Sequence, residues 1–236
     1  MLAIIAANKW KRPICFTNAQ EPAALGLSKY IRSRGMSYQL APVENSPVDL
    51  DVAYKTVMQK FRYGHAGTPG VYFDGDNRRY LNSIKMAHAQ IAQALIDAGR
   101  KDDARRILEH YDQNVDSNNF PYGMVNYYGN MDDRTSLYFL SDCYGAGDET
   151  LAAKVEASLT KDLQQQMQYY QSLGEGMSDD QLAINAQLAS QGKPNALSDQ
   201  QQNFVSDILS TYQFLMQINQ MKQHYRSALN PTGPPM

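Results

Sequence analysis

The sequence predicts a mainly α-helical protein with a small α/β unit at its N-terminus. Three observations carry this. Apolar residues recur at helical spacing from Asn77 almost to the end, two short β-like runs flank a helical pattern before residue 45, and a stretch rich in glycine separates the two regimes.

Leu2 to Asn8 reads as a short apolar helix, or as the end of one. Pro13 to Thr17 reads as a short strand, with proline at its first position, where a missing N–H is tolerated. Leu25, Leu27, Tyr30 and Ile31 fall at helical spacing and stop at Gly35, and a second strand follows at Ser37 to Val43. Two strands joined by a helix predict a crossover unit with the strands parallel. Val52, Tyr54, Val57, Met58 and Phe61 predict a further helix over Leu50 to Phe61. The run Arg62 to Asp76 holds four glycines and a proline, which sets the domain boundary: a small α/β unit over 1–65 and a helical domain over 77–229.

In the second region Tyr80, Ile84, Ala87, Ile91, Leu95 and Ala98 form one apolar stripe, closed by Gly99. Ala104, Ile107, Leu108 and Tyr111 form the next, so the chain turns back on itself. The spacing Ile91, Leu95, Gly99, Ala104, Leu108 predicts tetratricopeptide-like helical hairpins, in which small residues let the paired helices approach closely. The match is partial: His88 stands where that motif has a large aromatic, and Asp116 where it has proline. Phe139, Gly147 and Ala152 mark a second, weaker copy, although Gly99 to Gly147 is a longer step than the roughly 34 residues of that repeat. Two more helices are expected at about 152–173 and about 199–229. The linking segment 174–198 has room for a short helix over 179–189, and 230–236, with three prolines, is expected to be a disordered tail.

Composition excludes several classes of function. With 22 Lys and Arg against 24 Asp and Glu, the net charge of −2 supplies no overall basic field of the kind that draws a protein to nucleic acid or to anionic lipid, so composition favours neither as a partner and no nucleic acid is expected. The hydrophobic content of 43% is enough for a sizeable core. Cys15 and Cys143 form no C-x-x-C pair, and whether they bond to each other is left open. The four histidines lack the spacing that places two ligands on one helical face, so no metal and no cofactor is expected. Asp112, Asn114 and Asp116 begin like a calcium loop, but Ser117 and Gly123 replace the glycine and the bidentate glutamate it requires. Adjacent acids at Asp102/Asp103 and Asp179/Asp180 read as helix-start charge; Asp132/Asp133 is a third such pair. No nucleophile elbow, phosphate loop or dinucleotide fingerprint occurs, and no catalytic residue is assigned. The candidate ligand-binding residues are Phe120, Tyr122, Tyr127 and Tyr128, whose flat faces and hydroxyls suit a sugar ring or an extended peptide; interhelical packing is the competing account.

The block Asn8-Lys9-Trp10-Lys11-Arg12-Pro13-Ile14-Cys15-Phe16, then Gly26 to Tyr30 and Tyr38 to Val43, resembles the C-terminal soluble part of a bacterial family of unknown function. Members of that family are multi-spanning membrane proteins whose membrane half is similar to protein O-mannosyltransferases. The resemblance continues through Arg78 to Asn82 and the Leu95 to Leu108 helix pair, then fades after about Leu173. It departs from the family at Cys15, where an aromatic is expected. The resemblance implies a domain on the periplasmic side of the inner membrane, carried by a glycosyltransferase-like membrane protein; the helix pairs, the Tyr-rich segment and the lack of catalytic motifs add the expectation of a noncatalytic accessory or binding domain that positions a protein or glycan acceptor. Its partner would be the membrane half of the parent protein, contacted or approached through Trp10, Lys11 and Arg12; physically, Trp10 suits the seam between sheet and helices, and the two cations suit lipid phosphates. A purely structural domain and a free-standing hydrolase or transferase are the alternatives.

Overall fold

The structure, a computed structural model, describes residues 2–44, 48–124 and 129–229. The small N-terminal part holds α1 (Leu2–Asn8), β1 (Cys15–Phe16), α2 (Gln20–Ala24), a single 3-10 turn (Ser28–Tyr30), β2 (Ile31–Ser33), β3 (Tyr38–Leu40) and α3 (Leu50–Lys60). The helical part holds α4 (Gly75–Asp97), α5 (Lys101–Asn114), α6 (Met131–Ala146), α7 (Glu149–Ser172), α8 (Asp179–Ser190), α9 (Asp199–Gln202) and α10 (Val205–Leu229).

The sheet overturns two expectations. It is antiparallel throughout, in the order β1-β3-β2, with Cys15 opposite Gln39 and Ile31 opposite Leu40. No crossover helix separates its central pair: β2 and β3 form a hairpin, closed by Arg34 N–H donating to the Ser37 carbonyl at 2.8 Å. The helix expected to run to Gly35 ends instead at Ala24. Gly26 takes φ +72°, and the Leu27 and Gly26 amides bond back to the carbonyls of Pro22 and Ala23, the arrangement that terminates a helix on a left-handed residue. Leu25 and Leu27 therefore lie on a turn, and Ile31 begins a strand.

The helical part follows its apolar pattern closely. Asp74 caps α4 by accepting from Asn77 N at 2.9 Å, and Asp148 caps α7 by accepting from Leu151 N at 3.0 Å. Gly99 and Gly147, at φ +76° and +74°, end α4 and α6 and let α5 and α7 turn back immediately, giving two helical hairpins whose first members pack on each other. The close-packing glycine of this seam is Gly145, where a Cβ would stand 3.0 Å from Ile96 Cδ1. α4 is the central helix, packed on α3, α5 and α6. One apolar cluster runs from Ala53 and Val57 on α3, through Tyr63, Ala66 and Phe73, into α4 to α7 and up to Ile218 on α10. The glycine-rich stretch between the two parts thus contributes side chains to a continuous core. A second cluster joins Met167 and Tyr170 on α7 to Leu182 on α8 and Ile208 on α10. Both α8 and α9 begin with a capping box, on Ser178 and Ser198.

Candidate functional site

A cleft of about 1350 Å³ opens between the small sheet and the N-terminal half of α4, with the start of α6 behind it. Its sheet side carries Met36 and Tyr38; its helix side carries Tyr72, Tyr80 and the two arginines between them. The local sequence explains this arrangement. Capping by Asp74 starts α4 just after Phe73, which is buried, so Tyr72 is left 82% exposed on the rim, and Tyr80 one and a half turns on is 58% exposed. Arg78 donates from Nε to the Phe73 carbonyl at 2.9 Å and lies 6.0 Å from the centre of the Tyr72 ring. Arg79 lies 5.6 Å from the Tyr80 ring and pairs with Asp76 at 3.7 Å. Two aromatic faces, each beside a guanidinium, thus border a groove floored by Asn82, Thr135 and Asp132.

Beneath that floor lies a fully buried polar network. Lys85 is 0% exposed, its Nζ donating to Ser136 Oγ at 2.7 Å and lying 5.0 Å from the Phe120 ring centre. Ser136 in turn donates to the Tyr122 carbonyl at 2.6 Å. Asp133 accepts from Met124 N at 2.9 Å and from Gln166 Nε2 at 3.0 Å, while Gln166 Oε1 accepts from Thr211 at 2.9 Å. The chain of contacts reaches from α4 through α6 and α7 to α10. Burial lowers the Lys85 ammonium to about 8 against the opposing pull of Asp132 and Asp133, and raises the Asp133 carboxyl to about 7. Asp142, buried near Asp97, is raised to about 8. On the far side of α4, His88 sits among Phe61, Tyr63, His110 and Tyr111. Its Nδ1 bonds to the Ile84 carbonyl at 2.7 Å and its Nε2 to Tyr63 OH at 2.9 Å, so the neutral ring donates from Nδ1 and accepts at Nε2. Burial lowers it to about 4.

Of the ligand-binding residues singled out in the sequence, Phe120 and Tyr122 both lie beside the buried Lys85 ammonium, at 5.0 and 6.0 Å, and not in the cleft. Phe120 and Tyr122 are each 3% exposed: Phe120 faces Lys85, and Tyr122 packs on Tyr111 and Phe139 and donates to Asp112 at 2.9 Å. Their ring faces are occupied by the protein itself, and the packing account holds for them. Tyr127 and Tyr128 lie outside the described residues. Asp112 Oδ1 accepts from Lys154 at 2.6 Å as well, and Asp116 Oδ1 from the Asn118 backbone N–H at 2.8 Å, which engages one oxygen of each carboxylate of the calcium-like run. Among the described residues no three His, Cys, Asp or Glu side chains converge as a metal site. Cys15 is exposed and Cys143 buried, and both are free thiols. Trp10 does not fill the seam between sheet and helices; it is 46% exposed, with Lys11 and Arg12 exposed beside it. Tyr80 leaves the apolar stripe to which its spacing assigned it.

Sequence reasoning passed over Lys85 and noted Asp132/Asp133 only as a pair of adjacent acids, with no place in a buried network. A partial signal for Lys85 was present: Leu81, Lys85 and Ala89 stand at successive steps of four, so an apolar residue lies one turn to either side of the lysine.

Residues 1–59, which run from α1 through all but the last residue of α3, match the family model described as TMEM260-associated domain 2, and this ties the segment to a membrane protein family. Comparison with curated proteins and with solved structures returned no match. Among the described residues no helix is long and apolar enough to cross a membrane.

Proposed function

We propose, starting from the link to a membrane protein family, that the chain is a noncatalytic binding domain that positions a protein or glycan acceptor in the cleft between the small sheet and α4. In this reading the parent is a glycosyltransferase-like membrane protein, the domain lies on the periplasmic side of the inner membrane, and the hairpins α4/α5 and α6/α7 are a short tetratricopeptide-like unit.

The observation that carries the reading is the pair of exposed rings, Tyr72 and Tyr80, each next to an arginine on the rim of the cleft. Exposed tyrosines offer flat apolar faces for a sugar ring or a peptide side chain, and the amides and hydroxyls of the floor supply orienting hydrogen bonds. The carboxylates of the cleft favour holding over reacting. Asp74 is engaged in capping α4, Asp76 pairs with Arg79, and Asp132 is 2% exposed. The Lys85–Ser136 pair has the spacing of a nucleophile and base, yet both side chains are fully buried, with Ser136 already donating to a carbonyl.

The test is calorimetric titration of the chain with mannose oligosaccharides and with Ser/Thr-rich peptides. Saturable binding to one class, weakened about tenfold or more by Tyr72→Ala or Tyr80→Ala, is the expected result. Heat unaffected by both substitutions would move the binding away from the cleft and overturn the assignment. A purely structural role is favoured by a separate observation, the polar network tying α4 to α10. If that role is the whole function, loss of Lys85 lowers the abundance of the parent protein while the two tyrosine substitutions change nothing.

A further inference from the structure

α1 breaks the rule that a helix on a globular protein buries one apolar stripe. Its sequence LAIIAAN is apolar through both turns, yet none of the residues from Ala3 to Asn8 is buried, and Ile4 is 58% exposed. The turn that follows is built. Asn8 accepts from the Arg12 amide at 3.2 Å and donates to the Arg12 carbonyl at 2.7 Å, closing a loop in which Lys9 and Trp10 take left-handed backbone at φ 47° and 59°. That loop gathers Lys9, Trp10, Lys11 and Arg12 at one end of the apolar helix, and all four side chains are exposed. Among the described residues none of these three cations has an acidic partner in an ion pair, although the chain as a whole carries a net charge of −2.

An apolar helix ending in a loop that gathers an indole and three exposed cations supplies the chemistry of each layer of a bilayer surface: acyl boundary, carbonyl belt, phosphate layer. We propose that residues 2–12 dock on an anionic lipid bilayer, with α1 entering the acyl boundary, Trp10 at its edge, and Lys9, Lys11 and Arg12 on lipid phosphates. The seven described residues of α1 reach about 10 Å, enough to enter the interface. A groove on a protein partner is the poorer fit, because α1, exposed at Ala3, Ile4, Ala6 and Ala7, is crowned by charge of one sign. The segment lies inside the stretch that matches a domain of a membrane protein family. The inference is independent of the cleft, so either reading survives the failure of the other.

Trp10 is the only tryptophan, which makes intrinsic fluorescence a reporter of this segment alone. The chain is mixed with vesicles of phosphatidylcholine containing about one-third phosphatidylglycerol and with vesicles of phosphatidylcholine alone, at low and high salt, and flotation is measured in parallel. A blue shift of Trp10 emission with co-flotation on the anionic vesicles, weakened by salt, is expected. Replacing Lys9, Lys11 and Arg12 together by alanine lowers the partition coefficient about a hundredfold, at roughly fivefold per charge, and Ile4→Asp removes the blue shift. Because α1 contributes no buried residue among Ala3 to Asn8, both variants keep the far-ultraviolet spectrum and melting midpoint of the parent chain, so loss of binding is not loss of fold. Unchanged emission at saturating lipid overturns the proposal. So does equal binding to neutral vesicles that the triple variant retains, and so does a lipid-independent blue shift accompanied by a doubled mass, which assigns α1 to a second copy of the chain.

Discussion

Lys85 shows how much a single buried charge can organise. Its ammonium stands between Ser136 and the acids of α6 with no exposed surface, so its removal leaves Asp132 and Asp133 in a low-dielectric interior without their cation. Lys85→Met is therefore expected to destabilise the fold by about 3 kcal/mol or more in chemical denaturation at neutral pH, and Asp133→Asn in the same chain recovers part of the loss. Gly123 makes a second residue-scale case. A Cβ there would stand 2.5 Å from the Ser158 carbonyl oxygen and 2.9 Å from Leu159 Cα, both backbone atoms of α7. Gly123→Ala pushes the 120–124 segment off α7 and is expected to cost roughly 1–3 kcal/mol. Lysine on a helix ordinarily faces water, so only the apolar residues a turn to either side hinted at the burial of Lys85; a glycine between Tyr122 and Met124 ordinarily marks a loop and announced nothing.

At the scale of elements, helix ends were the best-specified features and short strands the worst. Gly99 has φ +76° and nothing within 4 Å of a Cβ, so Gly99→Ala isolates conformational strain from any clash. A loss of about 1 kcal/mol is expected, read as a lower thermal midpoint with the α4/α5 hairpin intact. Removing the capping hydroxyl in Ser178→Ala costs α8 a comparable ~1 kcal/mol. The same left-handed device at Gly26 cut short a helix that apolar spacing had extended to Gly35. Spacing over four apolar residues does not distinguish a helix from a turn followed by a strand. Two- and three-residue strands are defined by their partners, here Gln39 and Tyr38 on β3, and not by their own composition.

Across the whole molecule the buried ionisable groups set the pH dependence of stability. Asp142 and Asp133 are raised from 3.8 to about 8 and about 7, so the folded state holds protons that the unfolded state has released; the stability they contribute is full below about pH 4 and is lost as pH rises through 7 and 8. His88, lowered from 6.5 to about 4, acts oppositely: its contribution is full above pH 6.5 and is lost as pH falls through 4. Two carboxyls outweigh one imidazole, and the melting midpoint is expected to be higher at pH 5 than at pH 8. Asp142→Asn raises the pH 8 midpoint, stabilising by roughly 2 kcal/mol, and flattens the alkaline decline; an unchanged profile would remove Asp142 as a cause. What the sequence by itself determined was the helical architecture from Asn77 onward, the position of each helical hairpin turn, and a short apolar helix ahead of the Trp-Lys-Arg run, because helical periodicity and glycine termination are local and repeat over many residues; that Trp10 is exposed was not among these. Only the tertiary structure decided the antiparallel sheet, the burial of Phe120 and Tyr122, the exposure of Tyr80, and the joining of Lys85, Asp133 and Gln166 across three helices. Those depend on which faces of distant segments meet, and the cleft exists only where the small sheet comes to rest against α4.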